Sequence, residues 1–209
     1  MRQSRAALLT LLATLLLIPL FAGPAAATPP GMPTTAVALQ QLQLIEVASE
    51  SHADSYDRAL FPHWITISGT CNTRETTLKR DGDQVVVNSS CAAVSGSWYS
   101  PYDGVTWTQA SDLDTDHMVA LAQAWRSGAW AWTTEKRRQF ANSLSDTQLW
   151  NVTDNVNQSK SDKDPAQWRP PLASFHCDYA KSWTDVKYDW GLTADQAEVD
   201  ALADMLATC

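Results

Sequence analysis

The 209-residue sequence is poor in several things, and each shortage removes a class of protein. Beyond Phe21 it has no apolar run approaching the roughly 20 residues that a membrane-spanning helix needs. Its four cysteines form no C-x-x-C pair, which argues against a zinc finger. Apart from the proline-rich leader Pro29 to Pro33 there is no linker, repeat or low-complexity tract, so residues 28–209 are expected to form one domain with its own core. Basic charge is also scarce: 15 Lys and Arg stand against 23 Asp and Glu, a net charge of −8. Tight non-specific binders of nucleic acid are usually basic, because counterion release drives their affinity. Any such binding here has to rest on a local patch and a cation.

What is present begins with an address. Arg2 and Arg5 precede the apolar run Ala6 to Phe21, and Ala25-Ala26-Ala27 supplies small residues for cleavage. That order is a secretory signal peptide, expected over residues 1–27, with the mature chain starting near Thr28 and the protein secreted. No cysteine stands at the cleavage point, so a lipid anchor is not suggested. Removing Arg2 and Arg5 leaves 13 basic against 23 acidic residues, a balance of −10. Export also changes how Cys71, Cys91, Cys177 and Cys209 read. Four cysteines allow three pairings. The sequence-local choice is Cys71 with Cys91 and Cys177 with Cys209, each contributing roughly 2–4 kcal/mol in an oxidising compartment.

Periodicity gives a coarse set of elements. Ala38, Leu42 and Ile45 predict an amphipathic helix ending near Ser51. Thr76 to Val87 reads as a hairpin turning at Asp81-Gly82, and Ser95 to Gly104 as a loop. A short extended segment, Asp112 to His117, leads into a helix over Met118–Trp125 that stops at Gly128. Thr134 is expected to cap a helix reaching about Leu144, and Leu149 to Thr153 to form a brief strand. Tyr179, Trp183, Val186 and Trp190 repeat at helical spacing up to Gly191. Thr193 and Gln196 suggest a capping box for a last helix carrying Val199, Leu202 and Leu206. Helices outnumber strands and the strands are local, so the class is α+β.

Two segments stand apart from this scaffold. Asp116-His117 sets a carboxylate beside an imidazole at the end of an extended stretch. Alternate residues of a strand point to opposite faces, so both reach one site only if the backbone turns between them. A hard divalent cation prefers oxygen ligands, a role that suits Asp116, and a neutral imidazole is the side chain best able to take a proton from water near pH 7. Further on, Asn157 offers a carbonyl oxygen as a second metal ligand. Lys160, one helical turn later, is placed to balance charge building up on a phosphate.

Together these segments resemble the ββα-metal nuclease motif, in which an Asp-His pair is followed by an Asn-x-x-Lys-x-Asp segment, as in the HNH domain of CRISPR effector nucleases. The sequence is further similar to secreted bacterial HNH endonuclease-like proteins related to a domain of modification-dependent restriction enzymes. Tyr56, Arg58, Phe61, His63 and Trp64 match one segment of that pattern, and Cys71, Thr73 and Arg74 a second. Gly96, Trp98, Pro101, Tyr102 and Gly104 match a loop. Asp116, His117, Val119, Leu121, Ala124 and Trp125 match the central block, and Asn157, Lys160, Asp164, Pro165, Trp168 and Pro170-Pro171 the last one. The resemblance implies a ββα core with an insertion between its strands, surrounded by helices and a disulfide-stapled hairpin. It implies His117 as general base, Asp116 and Asn157 as ligands of one divalent cation, and Lys160 and Arg74 near the phosphates. Mg²⁺ is the first expectation for the cation, with Mn²⁺ the alternative. The substrate implied is nucleic acid, with DNA the first expectation. Two departures stand out. Ala120 occupies a position commonly Pro, and Gln148 falls where the middle Asn of the motif is expected, with Asn151 nearby.

Plainer readings exist beside these. Asn157 to Lys160 is also the composition of a solvated turn opening a helix. Arg74 would equally brace the Cys71 hairpin, and His63 reads as a hydrogen-bonded structural residue. Ten Trp residues suggest a carbohydrate-binding module, although Trp183 and Trp190 lie on a helical stripe better explained by core packing. The competing function is therefore an exported, non-catalytic binding protein of the same fold.

Overall fold

The computed structural model describes residues 28–209, so the expected signal peptide lies outside the described residues. The first helix, α1 (Thr35–Leu44), is capped by Thr34, whose hydroxyl accepts from the Val37 N–H. It buries Ala38 and Leu42 as their spacing predicts, but ends seven residues before Ser51. Ile45 is already extended, because the chain beyond it pairs with another segment: Ala48 N–H bonds to Ala194 O and Ala194 N–H to Glu46 O.

The expected hairpin at Thr76 to Val87 is a correction. Strands β1 (Thr66–Ser68) and β2 (Cys71–Asn72) pair, and a helix, α2 (Thr73–Asp81), follows. Asn72 and Glu75 form a reciprocal capping box, which satisfies two N–H groups at the helix start. Thr73, Thr77 and Leu78 then form its buried face. Asp81-Gly82 ends the helix, with the Gly82 N–H bonded to Leu78 O. The strand β3 (Asp83–Val87) pairs with β4 (Ala93–Tyr99), where a loop was expected, and β4 with β5 (Thr106–Trp107). Burial of Trp98 explains the strand: its Nε1 donates to Leu78 O at 2.8 Å. Gly96, at a φ of 159°, lies so close beneath that ring that an added Cβ would come within 2.6 Å of it. Cys71–Cys91 ties the turn between β3 and β4 back to β2.

The segment β6 (Leu113–His117) pairs antiparallel with β7 (Leu149–Thr153), His117 lying across from Leu149, and α5 (Asp154–Lys160) follows at once. Between the two strands lie α3 (Leu121–Arg126) and α4 (Thr134–Ala141). The first starts three residues later than periodicity suggested. The second is capped by Thr133 rather than Thr134 and stops at Ala141.

Helix α6 (His176–Trp190) ends at Gly191 in the left-handed region, where glycine carries no Cβ penalty. Helix α7 (Gln196–Leu206) is capped by Asp195, which accepts from Glu198 N–H at 2.8 Å, so the Thr193–Gln196 box is corrected; Thr193 bonds to Ser127 O instead. Cys177–Cys209 joins the start of α6 to the C-terminus. The main core draws Leu42, Ala124, Phe140, Trp150, Trp183 and Leu202 from six elements, and Leu78, Trp98 and Leu113 form a smaller one. Each fully buried large apolar side chain contributes about 1.5–3 kcal/mol. Of the ten Trp side chains only Trp130 is strongly exposed, at 41%, so no row of aromatic faces is presented. The class is α+β.

Candidate active site

β6 delivers its last two residues to one place. Asp116, His117 and, from α5, Asn157 line a single cavity of about 550 Å³ together with Thr115, Tyr56 and Arg58. The strand ends at His117, and the backbone leaves it through the buried pair Met118-Val119.

The imidazole of His117 is 5% exposed, and its Nε2 lies 2.9 Å from Ala141 O. A carbonyl only accepts, so Nε2 carries the proton and Nδ1 the lone pair. Nδ1 has no partner among the described residues and is not sealed from the cavity. Burial pushes the imidazole pKa down to about 3 against the pull of the Ala141 carbonyl, and the positive charge of Arg58 adds to the depression. The ring is neutral at pH 7. Trp64 stacks on it, with centroids 5.3 Å apart and planes at 27°. Trp64 itself has a φ of 55°, a region costly for a bulky residue by roughly 1–3 kcal/mol. Asn142 holds that turn, accepting from Ile65 N–H and Thr73 Oγ1 while donating to Pro62 O.

Asp116 is buried with both oxygens engaged. Tyr102 donates its hydroxyl to Oδ2 at 2.5 Å, and Lys160 Nζ donates to Oδ1 at 3.0 Å. Burial raises the carboxyl pKa, and Lys160 and Tyr102 pull it back. Lys160 is fully buried, does not line the cavity, and donates also to His117 O at 3.0 Å. Its charge is thus taken up behind the site, fixing the end of β6, and is not presented to a phosphate. Arg74 likewise stands apart from the cavity: its Nη2 donates to Ala110 O and Leu113 O, bracing the entry to β6.

Asn157 donates Nδ2 to Asp114 Oδ2 at 3.1 Å, which leaves its side-chain oxygen Oδ1 without a partner among the described residues. Gln148, at the register of the motif's middle Asn, bonds both ways to Val119: Oε1 accepts its N–H at 3.1 Å and Nε2 donates to its C=O at 2.9 Å. Those bonds pin the turn that follows His117. Asn151 is engaged elsewhere, with Thr115 and Asp81.

Among the described residues no group of three or more His, Cys, Asp or Glu side chains is gathered as a metal site. A site of fewer protein ligands still fits these residues. A carboxylate offers about four lone-pair directions, of which Tyr102 takes one on Oδ2 while Lys160 Nζ lies within 3.0 Å of both oxygens, and Asn157 adds a neutral side-chain oxygen on the same cavity. One anionic and one neutral oxygen suit a hard cation that keeps most of its waters.

A model of the C-terminal domain of the GmrSD restriction endonucleases matches residues 74–205, from α2 to the end of α7. The chain belongs to this family. A protein of Arthroderma benhamiae described as "Uncharacterized secreted protein" is 54% identical over 201 residues, covering 96% of this chain and 98% of the relative. That relative is fungal, so the likeness is not confined to the bacterial proteins expected above. No solved structure matches the chain. The GmrSD C-terminal-domain match takes in Asp116, His117, Gln148, Asn157 and Lys160 but begins after Tyr56, Arg58 and Trp64. Those three complete the surroundings of His117, from a segment some 60 residues away in the chain, a distance no local pattern bridges.

Proposed function

We propose that this protein is a secreted endonuclease of the HNH type that hydrolyses phosphodiester bonds in nucleic acid, with DNA as the first substrate to test. The observation that carries the reading is the state of His117: a neutral imidazole, its tautomer set by Ala141, its Nδ1 without a partner among the described residues, on a cavity that Asp116 and Asn157 also line. Membership of a restriction-endonuclease family supports the nuclease class. Two disulfides, and a relative described as secreted, support an extracellular location.

In this reading Nδ1 of His117 accepts the proton of the water that attacks phosphorus, while the Nε2–H···O bond to Ala141 keeps the ring aimed and carries part of the charge it gains. The anionic phosphodiester favours that gain, raising the imidazole pKa from its low value in the free protein. A divalent cation on Asp116 and Asn157, Mg²⁺ first and Mn²⁺ second, would supply positive charge for the crowded phosphate and the departing oxygen. Lys160 holds Asp116, Asp114 orients Asn157, and Gln148 holds the turn that follows His117.

The test is nicking of supercoiled plasmid by the purified mature protein, with Mg²⁺ and with EDTA. His117→Ala should lower the rate by roughly 10²–10⁴-fold with folding intact. An undiminished rate in that variant, or nicking that ignores EDTA, would overturn the mechanism.

A further inference from the structure

Among the described residues Arg58 is the one Lys or Arg that lines the cavity, and two cations bonded to its lining residues, Lys160 and Arg126, are already committed. Lys160 is buried on Asp116. Arg126 is held between Glu50 and Asp162, at 2.7 Å from each. Arg58 lines the cavity, is exposed, and makes no salt bridge among the described residues.

The backbone that delivers Arg58 is anchored, while its guanidinium makes no ion pair among the described residues. Arg58 opens a single 3-10 turn, Arg58–Leu60, capped by Asp57, which accepts from Ala59 N–H at 2.8 Å. Phe61, fully buried, packs its ring near those of Tyr56, Trp125 and Phe140. Arg137 Nε donates to Leu60 O at 2.9 Å. The side chain therefore starts from a fixed point, lies by the Tyr56 hydroxyl, and is near enough for its charge to act on the His117 ring. A guanidinium is a planar fork of donors that matches two oxygens of a phosphate, and it holds its charge at any working pH. In a chain of net charge −8, an unpaired cation beside the imidazole is where a polyanion meets least repulsion.

We propose that Arg58 is a phosphate-binding residue, its guanidinium gripping non-bridging oxygens of the nucleic-acid strand whose phosphodiester lies at His117. This rests on the nuclease reading and adds to it the contact that holds the substrate, a task that neither Lys160 nor Arg74 is placed to perform.

The experiment is fluorescence anisotropy of a labelled single-stranded oligodeoxynucleotide titrated with the mature protein in EDTA, in a His117→Ala background. Added Arg58→Ala should weaken binding about tenfold, the size of one charge-assisted contact. It should also make the slope of log K against log salt shallower by about 0.7, the share of one phosphate on a single strand. Arg58→Lys should restore the slope and part of the affinity, and Arg138→Ala, an exposed cation of α4 paired with Glu135, should change neither. Binding by Arg58→Ala within twofold of its parent, with an unchanged slope, overturns the proposal. The nuclease reading is judged separately, by plasmid nicking with the wild-type protein. Nicking without any role for Arg58 sinks this proposal alone, and absence of both nicking and binding sinks the two together.

Discussion

Two buried lysine–carboxylate pairs flank the ring of Trp183, and they differ in what else their carboxylates touch. Lys187 and Glu198, linking α6 to α7, are 0% and 1% exposed. Glu198 also accepts from Trp183 Nε1 and Gln123 Nε2, and Lys187 donates to Thr193 O. Both oxygens of the Glu198 carboxylate are thus engaged inside the core. Lys160 and Asp116 are nearly as buried, and Lys160 lies 5.8 Å from the same Trp183 ring. Asp116, however, lines the cavity that His117 and Asn157 also line. Identical chemistry serves as a strut in one place and as the rear support of a site in the other, and the difference is one open face.

Breaking each pair tests this contrast with the largest expected effect. Lys187→Met and Lys160→Met each leave a buried carboxylate uncompensated, so each should lower stability by about 3–5 kcal/mol in urea titration. Activity per folded molecule should survive Lys187→Met and fall in Lys160→Met, which also removes the bond to His117 O at the end of β6. Equal loss in both variants would erase the distinction. The double change Lys187→Met with Glu198→Leu should recover most of the lost stability, since a well-packed apolar pair often replaces a buried ion pair at little cost.

A smaller effect sharpens the open side. Gln148→Ala removes both bonds to Val119 and strands buried polar groups, at roughly 1–3 kcal/mol. Its kcat should fall more than its stability alone explains, and Gln148→Asn should not rescue it if the side chain is then too short to span the turn. A kcat that follows folded fraction only would reduce Gln148 to packing.

The smallest effect concerns the rim. Burial pushes the Asp162 carboxyl up, but the hydrogen bond and charge of Arg126 outweigh it and hold the pKa below the usual range. A depressed carboxylate contributes stability above its unfolded pKa of about 4, and loses it as pH falls through the folded value. Asp162→Asn should therefore cost under about 1 kcal/mol at pH 7, because half of the side chain is in water, and the cost should shrink as pH drops below about 4. Melting curves at neutral and acid pH check the sign. A gap that widened on acidification would contradict the pairing.

Much of the scaffold was legible because its signals are local. The apolar stripe of α6, the run of α7 and the short strand β7 follow from spacing alone. The misread parts were those where a local signal competed with another. Asp81-Gly82 suggests a hairpin turn, yet the Asn72–Glu75 box starts a helix that reaches it. Ser95 to Gly104 is rich in loop formers, yet burial of Trp98 against Leu78 draws it into a strand. At the site, the Asp116-His117 and Asn157–Lys160 segments stood out by residue type. The direction in which Lys160 points did not, because a helical register tells which face a residue occupies and not which partner claims its charge.

From residue order alone came an exported, acidic α+β chain with four cysteines and two polar segments suited to phosphate chemistry. Only the tertiary structure could decide that His117 donates Nε2–H to Ala141, that Lys160 turns inward to Asp116, and that Arg58 lines the cavity without a salt bridge among the described residues. The reason is physical: tautomer, burial and ion pairing are properties of a neighbourhood, and this neighbourhood is assembled from segments some 20 to 100 residues apart.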